Sequence, residues 1–302
     1  MIEYKYGTDM VLNKAREKGI VIPGFNIPYL PMMEPVMRAL HDTDTFGLIM
    51  VARLEWIKFK SGSMKSIRDE YEKLKDRRFT RLHLDHVPVI DEDNLYTNFE
   101  RIIAEAIDLG YDSVMIDGSR LSLADNIEAT RKIVKLAHSA VIPVEAELGA
   151  VMGHESGPLP PYDEIFDSGK GFTSPEEAKR FIQETQADWL SVAIGNIHGA
   201  ISEATRTEKK IEARLAIPQL KLINETVHIP LVLHGGTGIA KNYLMESFKQ
   251  GITKINIGTA IRQPYEKLMN DSVSAAQEAV YNEMLDLINN QLEIAGSASR
   301  IF

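Results

Sequence analysis

Three histidines stand where apolar segments of the chain end, and together they could hold a metal ion. These residues are His86, His198 and His234. The sequence contains no cysteine, so a metal has to be bound through histidine and carboxylate. Three histidines without a thiolate suit a catalytic zinc ion that keeps one coordination position open. A single histidine is more often structural, but three at equivalent positions favour a metal site.

Acidic residues end the same group of apolar segments. Asp85 stands directly before the first of these histidines, Asp117 ends the fourth segment, and Glu147 lies in the fifth. A carboxylate next to a metal can exchange a proton with a hydroxyl group, so the pattern indicates acid–base chemistry. His83 shares the strand side of Asp85 one layer lower, and we expect it in the core or behind the site. The remaining histidines, at positions 41, 138, 154 and 228, lack a comparable placement.

A glycine-rich turn follows the third histidine and could bind an anion. It contains Gly235, Gly236 and Thr237, and the next apolar segment ends with Asn256 and Thr259. Glycines let backbone N–H groups approach an anion closely, and the threonine hydroxyl adds a donor. A turn of this kind is often no more than a tight turn. The metal histidine at its start favours a phosphate site here.

Eight short apolar segments recur along the chain, each followed by a helix-like stretch. Most are rich in Val, Ile and Leu without clean alternation, which is typical of parallel strands buried on both faces. The repeat predicts a single (β/α)8 barrel over residues 1–302, with a doubly wound open sheet as the alternative. In such a barrel, active residues lie at the C-terminal ends of the strands. The predicted strands are Ile20–Asn26, Phe46–Val51, Thr80–Asp85, Ser113–Asp117, Val141–Leu148, Trp189–Ile194, Pro230–His234 and Thr253–Ile257.

Several connecting segments carry their own signals. The apolar spacing from Tyr96 to Leu109 predicts a helix, and a second helix is expected to begin near Thr173, where a hydroxyl, a proline and two acids follow one another. Residues 149–172 and 195–210 are predicted to be long connections. The stretch from Gln263 to Phe302 is expected to form one long helix and a tail.

Composition limits the classes of function. The chain has 34 basic and 43 acidic residues and a net charge of −9, so it lacks the basic face that nucleic-acid binding requires. The N-terminal residues have no signal-peptide pattern, and no segment approaches the ~20 apolar residues of a membrane span. We therefore expect a cytoplasmic enzyme that binds neither nucleic acid nor membrane.

Laid out in order, these residues resemble the class II fructose-bisphosphate/tagatose-bisphosphate aldolase family. The resemblance runs nearly from end to end, and the order and spacing of its motifs are highly specific. The motifs are LHLDH (82–86), SVMIDGS (113–119), VEAELG (144–149), PEEA (175–178), VAIGNIHGA (192–200), LVLHGGTGI (231–239) and KINIGT (254–259).

The resemblance implies a metal-dependent retro-aldol cleavage of a phosphorylated ketose to dihydroxyacetone phosphate and an aldehyde. It implies zinc on His86, His198 and His234, with Asp85 and Glu155 as proton carriers. The zinc would stabilise the charge of the enediolate as a Lewis acid, so Lys254 is expected to have no covalent role.

Further sites and partners follow from the same resemblance. Asp117 and Glu147 match acids that in some members hold a second divalent metal, and a sodium or potassium ion often lies near the phosphate. Family members are commonly dimers or tetramers, so we expect a homodimer or homotetramer. The residues implied in binding the substrate and its phosphate are Asn26, Gly199, Gly235, Gly236, Thr237, Asn256 and Thr259.

The chain departs from the family pattern where the acceptor half of the substrate would bind. Ala260 replaces an aspartate that bisphosphate-cleaving members usually carry, and residues 51–55 (VARLE) replace a small hydroxyl residue after the second strand. Val87 follows the LDH motif in place of glycine. Arg262 remains at a position that some members use for the distal phosphate, and Arg53 is a candidate new anion contact. We therefore expect a ketose 1-phosphate or 1,6-bisphosphate, or a sugar with a distal sulfonate or carboxylate.

Two other classes of function compete with this interpretation. Barrels with His/Asp rims also include metal-dependent hydrolases, and aldolase families include non-catalytic partner subunits. The predicted phosphate pocket disfavours a hydrolase. The three histidines together with Asp85 and Glu155 disfavour a silent subunit.

Overall fold

The strands close into a barrel in the computed structural model, which describes residues 6–151, 161–197 and 212–302. Eight parallel strands pair in chain order, and the first pairs with the last. This closure confirms the (β/α)8 prediction, and the doubly wound alternative is wrong because an open sheet leaves its edge strands unpaired. The strands are β1 (Ile22–Asn26), β2 (Gly47–Ala52), β3 (Thr80–Pro88), β4 (Ser113–Asp117), β5 (Val144–Leu148), β6 (Trp189–Val192), β7 (Leu231–Leu233) and β8 (Ile252–Ile257).

The predicted strand positions are correct, but some ends differ. The segment before β5 was expected to be extended from Val141. That residue is exposed and has a positive φ of 61°, so it belongs to the turn after the preceding helix. His234 lies just beyond β7, while β3 extends past Asp85 to Pro88. The differences thus lie at the ends of the strands, while the predicted order of the strands is unchanged.

Helices surround the barrel and alternate with its strands. Those that lie in the described ranges are α1 (Thr8–Glu17), α2 (Met33–Asp42), α3 (Arg53–Lys58), α4 (Met64–Leu74), α5 (Phe99–Asp108), α6 (Leu123–Ser139), α7 (Tyr162–Ser168), α8 (Pro175–Thr185), α9 (Ile217–Val227), α10 (Lys241–Lys249), α11 (Thr259–Leu268), α12 (Val273–Asp286) and α13 (Ser297–Ile301). Short turns of 3-10 and π type occupy Leu30–Met32 and Leu287–Gln291. None of the helices just named has the length and apolar character that a membrane span requires.

Local capping explains where two of the predicted helices begin. The side chain of Asn98 accepts a hydrogen bond from the backbone of Arg101, so α5 begins at Phe99 and not at Tyr96. Ser174 caps α8 in the same way, with Pro175 as its first residue. The predicted start of α8 is confirmed. The helix predicted from Tyr96 to Leu109 is correct except for its outer residues.

The expectation of one long helix after Gln263 is wrong. The chain forms α11, then α12 with Ser272 as its cap, a π turn and α13. The backbone N–H groups of Gly296 and Ala298 donate to the carbonyls of Thr43 and Asp44 at 2.9 Å. The last residues therefore pack against the loop before β2, which a continuous helix would not reach.

Of the two predicted connections, the first contains α7, and residues 152–160 lie outside the described part of the chain. Most of the second, residues 198–210, also lies outside it. Three residues predicted to act in catalysis or binding therefore lie outside the described residues, namely Glu155, His198 and Gly199.

Candidate active site

Asp85 and His86 are consecutive residues on β3, yet both side chains line one cavity at the C-terminal end of the barrel. In a regular strand, neighbouring side chains point to opposite faces. The pairing of β3 with β4 shifts register between Leu84 and Val87, and His86 has a positive φ of 36°. This bulge brings His86 into the cavity beside Asp85. A local irregularity of the backbone thus places two adjacent side chains in one site.

Two of the three predicted metal ligands meet in this cavity. Nε2 of His86 lies 2.6 Å from Nδ1 of His234. The other ring nitrogen of His234 lies 2.8 Å from Oε1 of Glu145, and both of these side chains are fully buried. A neutral imidazole that donates Nε2–H to a carboxylate carries its lone pair on Nδ1. That lone pair faces Nε2 of His86 at hydrogen-bond distance, so both rings turn a nitrogen toward the same point of the cavity.

Carboxylates surround the same point. Asp117 Oδ2 lies 3.6 Å from His86 Nδ1, and Glu147 Oε2 lies 3.5 Å from His234 Nδ1. The possible ligand atoms of Asp85, His86 and His234 all lie within 4.8 Å of one another, and so do those of His86, Asp117 and Glu147. Nitrogen and oxygen donors at these separations fit a divalent metal such as zinc.

The charges in this cluster are strongly coupled. Burial acts against the charged form of His86, but the carboxylates of Asp85, Asp117 and Glu147 outweigh it and raise its pKa to about 10. Burial, with the nearby Asp117 charge, raises the pKa of Glu147 well above its usual value. For His234, burial and the charge of His86 lower the pKa, so its ring stays neutral. The carboxyl groups of the site therefore outnumber its two described histidines, as expected where a cation binds.

Two amides fix the carboxylate of Asp85. Asn26 Nδ2 donates to Oδ2 and Asn256 Nδ2 donates to Oδ1, each at 2.9 Å. Burial acts to raise the pKa of Asp85, but the charges of His86 and Lys254 outweigh it and keep the pKa below its usual value. Asp85 is therefore a carboxylate at neutral pH, held beside the histidine pair and able to accept a proton.

A chain of buried polar groups lies beneath the site. Lys254 Nζ donates to Glu145 Oε2 and to Asn256 Oδ1, both at 2.7 Å. Nδ1 of His83 lies 2.8 Å from Ser113 Oγ, and its Nε2 lies 3.5 Å from Glu145 Oε2. His83 is thus in the core, as expected. Because the lysine occupies the amide oxygen of Asn256, the amide nitrogen points at Asp85.

The loops after β7 and β8 form the predicted phosphate side of the cavity. Gly235, Thr237 and Thr259 line it. The Thr237 hydroxyl is buried and has no hydrogen-bond partner among the described residues. A Cβ on Gly236 would lie 2.6 Å from the Ile255 side chain and 2.9 Å from a backbone oxygen, so only glycine fits this turn. An unpaired buried hydroxyl beside such a turn suits a bound oxyanion.

The structure separates the two arginines that were candidate anion contacts. Arg262 lines the cavity, and its Nη1 lies 2.8 Å from Glu266 Oε2. Arg53 does not line the cavity, and its Nη2 lies 3.5 Å from Asp91 Oδ2. Of the predicted site residues that the structure describes, Arg53 is thus the one that lies apart from the cluster.

Sequence reasoning missed several polar residues of this region, among them Glu92 in the loop after β3. Glu145 and Lys254 were not assigned to the site, although each stands two positions before an assigned residue and shares its side of the strand. Glu55 lies on α3 and lines the cavity as well. The sequence carries no signal for its position, because it depends on the way that α3 packs over the end of β2.

Comparisons with known proteins agree with this geometry. The family model described as fructose-bisphosphate aldolase class-II matches residues 7–300. A probable fructose-bisphosphate aldolase of Bacillus subtilis is 30% identical over 270 residues, which cover 88% of this chain and 85% of the relative. The fructose-bisphosphate aldolase of Helicobacter pylori is 29% identical over 329 residues, covering 96% and 98%.

Solved structures are similar over the same length. A putative fructose-1,6-bisphosphate aldolase from Coccidioides immitis has a TM-score of 0.76 at 26% identity, covering 98% of this chain and 99% of the other. The YdjI aldolase of Escherichia coli K12 has a TM-score of 0.74 at 25% identity, covering 96% and 98%.

Proposed function

Since this chain belongs to the class-II fructose-bisphosphate aldolase family, we propose that it cleaves a ketose 1-phosphate in the cavity bounded by Asp85, His86 and His234. The family activity makes it a metal-dependent aldolase that releases dihydroxyacetone phosphate and an aldehyde. The observation that carries the proposed site is the bulge in β3. It brings a carboxylate and a histidine that are adjacent in sequence to the same point beside His234.

We assign zinc to His86, His234 and His198, the last of which lies outside the described residues. The Nε2–H bond of His234 to Glu145 supports this assignment, because it directs the Nδ1 lone pair toward His86. A bound zinc ion would supply Lewis-acid polarisation of the ketose carbonyl. Asp117 and Glu147 are the proposed ligands of a second divalent position. A sodium or potassium ion beside the phosphate is proposed from the family resemblance alone.

Asp85 is the proposed proton carrier at the C4 hydroxyl of the ketose. It accepts that proton as the C3–C4 bond breaks, and it returns the proton to the aldehyde oxygen in the condensation direction. Both amides that hold it donate N–H groups, which stabilises the carboxylate form that a base requires. We propose Glu155, also outside the described residues, as the carrier of the second proton at C3.

The phosphate of the ketose is proposed to bind at the loops after β7 and β8. The unpartnered Thr237 hydroxyl and the close approach of the backbone at Gly236 support this position. Gly235, Asn256 and Thr259 complete the described part of this pocket, and Gly199 is proposed as a member from outside it. Asn26 acts through Asp85, because its amide donates to that carboxylate.

We also propose a homodimer or homotetramer in which residues 1–302 form one domain, acting in the cytoplasm on a small sugar phosphate. The family resemblance supports the oligomeric state and the substrate class. Equilibrium sedimentation of the full chain would test the oligomeric state, and a monomer at micromolar concentration would contradict it.

Proton exchange tests the proposed function most directly. The zinc-loaded chain, given dihydroxyacetone phosphate alone in deuterated buffer, should exchange one C3 proton, visible by proton NMR. His234→Ala is the matched variant, because it removes a ligand and should abolish both metal retention and exchange. A metal-dependent hydrolase or a silent subunit would leave the proton in place, and that result with the zinc-loaded wild-type chain would refute the proposal.

A further inference from the structure

The geometry of the barrel defines which wall of the cavity meets the aldehyde half of the substrate. The proposed phosphate side lies at β7 and β8, near Thr237, whereas Asp85 belongs to β3. When a ketose is held at its phosphate end, its carbon atoms extend past the metal histidines and then past Asp85. Ala52, the last residue of β2, pairs with Asp85 in register. The segment that follows β2 therefore forms the wall beyond the bond that breaks.

This wall is partly apolar and carries acids. Leu54, Glu55 and Phe59 line it from α3 and its C-terminal end, and Glu92 lines it from the loop after β3. Glu55 is only 8% exposed, and its Oε2 accepts a hydrogen bond from the Ala52 backbone at 2.7 Å. That bond, together with a side-chain hydrogen bond from Asn26, fixes the carboxyl group at the cavity wall.

The cations near this wall are already paired. Arg262 is bonded to Glu266, lies over the Phe59 ring at 5.4 Å, and is 7% exposed. Glu266 is held in turn by the Tyr29 hydroxyl at 2.8 Å. Within the described part of the lining, no arginine or lysine lacks a carboxylate partner. At this wall, an anion would meet no arginine or lysine of the described lining that is free of a carboxylate partner, which is unfavourable in a cavity of low dielectric constant.

Resting on the proposed function, we propose that the aldehyde half of the substrate is an uncharged hydroxyaldehyde, and that Glu55 is the specificity-determining residue that bonds its hydroxyl group. The substrate is then a ketose 1-phosphate with no phosphate, sulfonate or carboxylate at its distal end. This differs from the sequence-based expectation of an anionic distal group, because Arg53 and Arg262 are both paired with acids. Burial also raises the pKa of Glu55 to about 8, so at neutral pH this carboxyl can donate as well as accept.

The first test compares acceptors with the zinc-loaded wild-type chain in the condensation direction. Dihydroxyacetone phosphate is offered with racemic glyceraldehyde, glyceraldehyde 3-phosphate, succinic semialdehyde or sulfoacetaldehyde, and kcat/KM is measured for each. Glyceraldehyde should exceed every charged aldehyde by at least about tenfold, because burying an anion without a free cation costs more than about 1 kcal/mol. A charged aldehyde that proved best, with proton exchange intact, would overturn this inference and leave the proposed function standing. Absent exchange would overturn both.

The second test combines a substitution of Glu55 with a change of the acceptor aldehyde. Glu55→Ala should lower kcat/KM for glyceraldehyde about tenfold but change it less than twofold for propionaldehyde, which has no hydroxyl group. Glu55→Gln is the conservative control: its amide can keep the Ala52 bond and donate to the substrate, so glyceraldehyde should be used within about threefold of wild type. If Glu55→Ala lowered kcat/KM equally for both aldehydes, the loss could not come from a contact with the hydroxyl group. That result would refute the proposed role of Glu55.

Discussion

Replacing Lys254 by methionine would test the polar chain beneath the site. Lys254 and Glu145 have no exposed side-chain surface, and their charged atoms are 2.7 Å apart. Lys254→Met keeps the length of the side chain but leaves the Glu145 carboxylate buried without its cation. It also frees the Asn256 oxygen, which now accepts from Nζ at 2.7 Å. We expect lower stability and a slower reaction, because the Asn256 amide is then free to turn away from Asp85.

The size of the stability effect follows from burial. Removing one partner of a fully buried ion pair costs about 3–5 kcal/mol. A chain of 302 residues has an unfolding entropy of about 0.6 kcal/mol/K, so Tm should fall by about 5–8 °C. A total stability of about 5–15 kcal/mol exceeds this cost over most of its range, so we expect the variant to fold. Calorimetry of the metal-free chain measures this shift without any contribution from metal binding.

A double variant supplies the control. Lys254→Met with Glu145→Gln removes both charges and should regain most of the lost stability, since no uncompensated carboxylate remains. It should still bind zinc about 10- to 100-fold more weakly than wild type, because a carboxamide orients the His234 ring less strictly than a carboxylate does. A Lys254→Met protein with unchanged Tm, or a double variant that is no more stable than the single one, would refute this reasoning.

Four further predictions concern single groups of the site. Asp85→Ala should keep its zinc and lose about 10²–10⁴-fold in kcat for cleavage; near-normal cleavage would exclude Asp85 as the proton carrier. Thr237→Val preserves side-chain shape and should raise KM for dihydroxyacetone phosphate about tenfold, the value of one hydrogen bond to a charged group, whereas an unchanged KM would exclude a phosphate contact. Because the pKa of His86 is about 10 in the metal-free protein, zinc loading at pH 7 should release about one proton, measurable by titration calorimetry in buffers of different ionisation enthalpy; release of none would contradict the charge assignment. Glu55 has a folded pKa of about 8 against 4.5 in the unfolded chain, so the folded state keeps a proton that the unfolded state releases. The stability of wild type should therefore fall between about pH 4.5 and 8, relative to Glu55→Gln, by up to a few kcal/mol, and parallel pH dependences in urea unfolding would argue against it.

Much of the barrel and the rim of its site could be predicted from sequence, because both depend on local patterns. Buried parallel strands show up as short Val- and Ile-rich segments. A closed barrel places the C-terminal end of every strand on one rim. From these two rules, Asp85, His86 and His234 are expected to meet, and the structure brings them together.

The contacts between those residues could not be predicted, because they depend on irregular backbone and on distant partners. Regular alternation would place Asp85 and His86 on opposite faces, and only the register shift in β3 brings both into the cavity. The pairing of Lys254 with Glu145 joins residues on β5 and β8, which are not neighbouring strands. No local pattern specifies which buried charges will meet across the inside of a barrel.

The C-terminal segment is helical, as expected, but the prediction that it forms one continuous helix is wrong for a related reason. Apolar residues at helical spacing continue from α11 into α12, so a pattern search joins the two helices. The break near Ser272 depends on a single capping hydrogen bond to the Ala275 backbone. The position of Arg53 is a similar case, since its pairing with Asp91 follows from the path of the loop after β3.

The pairing of β1 with β8 has a consequence for synthesis of the protein on the ribosome. Ile22 pairs with Lys254, about 230 residues later in the chain. At roughly 5–20 residues per second, one edge of β1 waits about 12–46 s for its partner strand to be made. During that interval the nascent chain exposes an unpaired, apolar strand edge of the kind that promotes aggregation. Closing the barrel is thus a late event, which has to wait until β8 has been synthesised.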